Sequence, residues 1–120
     1  VGATYCFDLD DTISSTPEVL GPIMRGLRSQ GHEVHVLSSV HTAQATQSDM
    51  VAKKLLLDRL GLGDAYDKLA VVDGPGKQIA VNKVRYMQDV GAKCLVDNNK
   101  ANIAAARTAG FTGLRHFDPS

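Results

Sequence analysis

Four glycines punctuate this chain. Gly31, Gly61, Gly91 and Gly110 each close a segment of helical period, and each is followed by a short apolar run of strand length. Glycine ends helices because it enters the left-handed backbone region without a steric penalty. The pattern between the stops predicts strands over 3–9, 33–37, 69–72, 92–96 and 113–117. Helices are predicted over 17–29, 43–60, 77–90 and 100–109. Pro17 behind Ser15-Thr16 starts the first helix. Val51, Leu55 and Leu56 are expected to form the inward face of the second. The order βαβαβαβαβ demands a parallel sheet covered on both faces. Right-handed crossovers and one reversal of winding give a doubly wound α/β sheet of about five strands, in the order 5-4-1-2-3.

At 120 residues and 43% hydrophobic content, the chain suffices for one core, so 1–120 is read as a single domain. Thirteen basic residues balance thirteen acidic ones, leaving no overall field to attract nucleic acid non-specifically or to hold an anionic membrane. No apolar run approaches the ~20 residues of a membrane span, and the N-terminus lacks a signal-peptide layout. Cys6 and Cys94 are too few for a disulfide scaffold and read as buried thiols of a reducing compartment, which makes the cytoplasm the expected location. With three Phe, three Tyr and no Trp, stacking platforms for bases are poorly supported.

The winding reversal places the ends of the first and fourth strands side by side, where open α/β sheets bind ligands. The first strand ends at Asp8, Asp10 and Asp11, and the fourth at Asp97. Carboxylates gathered this way repel one another unless a cation lies between them, and a hard divalent ion such as Mg2+ also binds phosphate oxygens. The two-residue period puts Asp8 and Asp10 on one side of the chain and Leu9 on the other.

The segments "CFDLDDTI", "EVHVLSS" and "NKVRYMQDVGAKCLVDNNKANIAAARTAGF" together resemble the four signature elements of the haloacid dehalogenase (HAD) superfamily, over nearly the whole chain. The resemblance implies a HAD-like sheet and a magnesium-dependent phosphohydrolase. In that scheme Asp8 is the phosphorus-attacking nucleophile, Asp10 the general acid and base, and Lys83 the compensating cation. Mg2+ would be held by the Asp8 carboxylate, the Asp10 carbonyl and Asp97. Ser38 would bind the phosphoryl group, with Ser39 as its competitor, and Thr12 would brace the turn. Many relatives carry a further acid where Asn98, Asn99 or Asn102 stands here; an amide oxygen at Asn98 can still bind metal but brings no charge. Alternatives are a catalytically weak or inactive HAD-like binding module, or a phosphotransferase.

His41, just past the second strand, is a candidate phosphate contact. "GPGKQ" is not a complete phosphate loop, since Val71 and Gln78 stand where Gly and Ser or Thr are required, and Lys77 is read as a solvated charge. Arg25, Arg28, Lys53 and Lys54 are read the same way. The intervals after the first and third strands leave no room for a cap domain. An uncapped site would be covered by its own loops, by an oligomer neighbour or by the phosphorylated substrate, whose class the sequence leaves open.

Overall fold

The computed structural model describes residues 2–120. Strands β1 (Thr4–Phe7), β2 (Glu33–Ser39), β3 (Lys68–Val72), β4 (Cys94–Asp97) and β5 (Thr112–Arg115) alternate with helices α1 (Pro17–Ser29), α2 (Gln47–Arg59), α3 (Gly76–Val90) and α4 (Lys100–Thr108). A wide turn, Leu9–Ile13, with non-helical backbone at Asp10 and Asp11, follows β1. All neighbouring strands are parallel, in the order β3-β2-β1-β4-β5. This is the expected order read from the other edge, on a Rossmann-like α/β sheet.

Both faces of the sheet are covered, which is why its central strands read as continuous apolar runs. Phe7, Val34, Val36 and Val96 pack on one face with Leu20 and Met24 of α1 and Leu57 of α2. Cys6, Leu37 and Leu95 pack on the other with Met87 of α3 and Ile103 and Ala106 of α4. Cys6 and Cys94 fall in opposite layers and are free, buried thiols. The four punctuating glycines all have positive φ, from 66° to 95°.

The elements differ from expectation where local chemistry overrides periodicity. Helix α2 begins at Gln47 rather than near residue 43, because Thr46 and Asp49 form a reciprocal capping box: Asp49 N donates to Thr46 Oγ1 at 3.2 Å, and Thr46 N donates to Asp49 Oδ2 at 2.9 Å. Strand β2 runs two residues further than expected, since Ser38 and Ser39 pair with Val71 and Val72. Val51 and Leu55 do not form the inner face of α2; they are 46% and 52% exposed. The inward stripe is Lys53, Leu56, Leu57 and Leu60, at i, i+3, i+4 and i+7, and it brings a lysine toward the sheet edge. Among the described residues, no helix is long and apolar enough to cross a membrane.

Candidate functional site

Asp8 leaves β1 in extended conformation, with its N–H still donating to Val96 O at 2.9 Å, so β1 and β4 stay in register to the point where the carboxylates begin. Leu9 turns into the core while Asp8 and Asp10 border the crevice, as the two-residue period requires. The chain then closes a wide turn, Ile13 N donating to Asp8 O and Ser14 N to Leu9 O. This turn needs a positive φ of 63° at Asp11, a conformation that costs an L-residue about 1 kcal/mol and that Asp tolerates better than most. Asp11 N donates to Ser14 Oγ at 2.9 Å, which helps to hold it there.

Beneath the crevice lies a buried charge triad. Lys83 reaches up from α3 and places Nζ 2.8 Å from Asp8 Oδ1 and 2.8 Å from Asp97 Oδ2. Two carboxylates against one ammonium leave the floor negative. Burial pushes the Asp8 carboxyl up to about 6, against the pull of Lys83 and with a further push from Asp97. Lys83 itself is held above its ordinary value: burial opposes the charge, but Asp8 and Asp97 together outweigh it.

Amides and hydroxyls complete the floor. Thr12 Oγ1 donates to Asp8 Oδ2 at 2.8 Å and accepts from Asn98 N at 3.0 Å. Asp97 Oδ1 accepts from Asn99 N, and Oδ2 from Asn102 Nδ2, both at 3.0 Å. Asn99 also caps α4 through its side chain, so the helix start and the Asp97 carboxylate share one network. One terminal atom of the Asn98 amide lies 3.2 Å from Asp8 Oδ2, 3.2 Å from Asp97 Oδ1 and 3.1 Å from Thr12 Oγ1. A nitrogen there donates to both carboxylates. The hydrogen-bond network favours this nitrogen orientation, because an oxygen there would face the oxygens of Asp8, Asp97 and Thr12.

The floor opens into a cavity of about 520 Å3. Asp8, Asp10, Asp97, Asn98, Ser39 and His41 border it, whereas Thr12, Ser38 and Lys83 stand behind its wall. Of the two serines weighed at the end of β2, Ser39 faces the cavity, and Ser38 is buried with Oγ at a long 3.4 Å from Asp10 Oδ2. Lys77 also borders the cavity, at the first turn of α3.

Lys53 was expected to be a solvated surface charge. It instead enters this cavity from α2 and pairs with Asp10 Oδ2. The 53-56-57-60 stripe and the 51-55-56 face compete in the sequence of α2, and packing selects the first. Arg25 and Arg28 are likewise engaged, with Asp64 and Asp67.

No protein-family model and no curated protein matches the sequence. Solved structures do match its shape. A universal stress protein from Archaeoglobus fulgidus in complex with dAMP is similar over 95% of this chain and 97% of its own, at 14% identity and a TM-score of 0.65. A universal stress protein in complex with cAMP is similar over 98% of each chain, at 18% identity and a TM-score of 0.64. A HAD family enzyme from Bacteroides thetaiotaomicron, in complex with magnesium and inorganic phosphate, is similar over 90% of this chain but 53% of its own, at 14% identity and a TM-score of 0.50.

The likeness is to universal stress proteins. At these identities it describes the fold, and it corrects the family expected from the motifs. Universal stress proteins match end to end, while the HAD enzyme is matched over about half its length. Membership of the HAD superfamily is therefore withdrawn, and with it the phospho-aspartate phosphohydrolase, its phosphotransferase and inactive-HAD alternatives, and the hydrolytic roles given to Asp8, Asp10 and Lys83. The physical reason is that acidic strand ends are a local feature that a doubly wound sheet can carry whatever its chemistry.

Proposed function

We propose that this chain is a ligand-binding module that holds a phosphate-bearing small molecule, of nucleoside monophosphate class, in the crevice at the ends of β1 and β4. The observation that carries the reading is the cavity of about 520 Å3 that opens onto Asp8 and Asp97, with Lys83 bridging them from behind, at the reversal of winding. The dAMP and cAMP named in the two similar structures support a nucleotide over other phosphate carriers.

A negative floor does not attract a phosphate by itself, so the proposal includes a divalent cation of the Mg2+ type. Asp8 Oδ2 and Asp97 Oδ1 are hard oxygens of the kind this ion takes, and with no ion bound the Asn98 amide nitrogen can bridge them; a cation there would require the amide to turn its oxygen inward. Among the described residues, no group of three His, Cys, Asp or Glu is gathered as a metal site. The backbone carbonyl of Asp10 is proposed as a further donor. When bound, the cation would join the carboxylates to phosphate oxygens. Ser39 and His41 would contact the ligand from the crevice wall, Ser38 and Thr12 would steady Asp10 and Asp8, and Lys83 would keep the floor from repelling itself. We read the chain as one cytoplasmic domain whose partner is this small molecule, with no role for a membrane or for non-specific nucleic-acid binding.

Titration calorimetry with adenosine 5′-monophosphate, with and without Mg2+, tests the reading. Saturable one-site binding that strengthens with Mg2+ and is lost in Asp97→Ala is expected; no heat from the nucleotide under either condition overturns it. Binding should also raise the unfolding free energy by about 2.7 kcal/mol when the nucleotide is at one hundred times its Kd.

A further inference from the structure

We propose that Lys53 is a specificity-determining residue, which exchanges its Asp10 partner for a second anionic group on the ligand. This rests on the reading of the crevice as a phosphate site and narrows the ligand class to molecules with two separated phosphates, such as a nucleoside bisphosphate.

Two lysines meet carboxylates here, and they differ in kind. Lys83 is 1% exposed and bonds two carboxylates that are themselves buried, so its charge is committed to the floor. The side chain of Lys53 is 15% exposed, but its partner Asp10 is 53% exposed and has, among the described residues, only the long Ser38 contact besides. An ion pair of the second kind sits partly in water and is worth little, so another anion can take the lysine at small cost. Its position gives the exchange direction. Lys53 sits on the inward stripe of α2 with Leu56, Leu57 and Leu60, borders the cavity, and has its ammonium on Asp10 Oδ2.

A ligand phosphate seated at Asp8 and Asp97 cannot recruit Lys83. Any further anionic group meets the cavity's other cations, Lys53 from α2 and Lys77 from the first turn of α3. The cavity is of a size that holds more than a single phosphate group. Asp10 thus acts as an internal competitor for Lys53. Weakening that competitor should favour the second phosphate.

The test is calorimetric titration in Mg2+ buffer of adenosine 5′-monophosphate and adenosine 3′,5′-bisphosphate into the parent chain and into Lys53→Gln, Lys53→Arg and Asp10→Asn. Expected is a preference of about tenfold for the bisphosphate in the parent chain. Lys53→Gln should remove that preference while changing monophosphate affinity less than about threefold. Lys53→Arg should keep it, and Asp10→Asn should widen it. Equal affinity for both nucleotides in the parent chain, or a preference that survives Lys53→Gln, overturns the inference and leaves the monophosphate reading standing. Binding of neither nucleotide overturns both. Should Lys53→Gln fail to melt cooperatively, the comparison between Asp10→Asn and the parent decides, and an unchanged preference there overturns the inference.

Discussion

Lys83 and Asp97 meet at 2.8 Å with each side chain only 1% exposed, so the chain itself supplies a cation that offsets part of the charge at the strand ends. Removing it should be costly. Lys83→Met leaves Asp8 and Asp97 facing each other in a buried site, and loss of one partner from such a cluster costs about 3–5 kcal/mol. Urea denaturation at neutral pH checks this; a loss below about 1 kcal/mol would mean that water reaches the triad.

Much of this arrangement was legible in the sequence. The glycine stops, the apolar runs and the handedness of crossovers were enough to place Asp8 beside Asp97 and to give the strand order. Rotation of α2 was not legible, because Val51 and Leu55 compete with Leu57 and Leu60 for the inner face and only packing decides between them. Lys53 was missed for that reason. The positive φ at Asp11 was hidden too, since nothing in "DLDDT" marks where an extended chain becomes a wide turn. The family was misjudged because the motifs lie at strand ends, whereas the likeness to universal stress proteins runs through the whole chain.

Asp8 should make stability depend on pH. Its carboxyl is raised from 3.8 to about 6 on folding, so between those values the folded state binds more protons than the unfolded one. Stability then falls as pH rises from about 4 to about 6, with the contribution fully present below 4. The span corresponds to a loss on the order of 2–3 kcal/mol. Asp8→Asn should flatten this part of the profile, which denaturation midpoints at half-unit pH steps would reveal; an unchanged slope would exclude Asp8 as its source.

Asn98 should set metal affinity. Asn98→Asp places a third carboxylate about 3.2 Å from Asp8 and Asp97, so without Mg2+ the variant should be less stable than the parent by about 1–3 kcal/mol. With Mg2+ the added charge strengthens the ligand set, and thermal stabilisation by the ion should exceed that of the parent. Melting curves across a Mg2+ series separate the two effects. An equal response in both proteins would remove Asn98 from the proposed cation site.

Gly91 and Gly26 should respond oppositely to a methyl group, although among the described residues neither would meet an atom within 4 Å beyond its chain neighbours and its own helix backbone. Gly91 ends α3 with φ of 66°, where an L-residue is strained, so Gly91→Ala should destabilise by about 1 kcal/mol. Gly26 lies within α1 and lacks a positive φ, so alanine there restricts the unfolded chain without straining the folded one. Gly26→Ala should stabilise by about 0.5–1 kcal/mol. The pair isolates backbone conformation from packing, because the added carbon has the same open surroundings in both. Chemical denaturation of the two variants beside the parent gives the sign directly. Changes of the same sign would mean that the glycine stops do not act through backbone conformation, which is the property that made the helix ends readable.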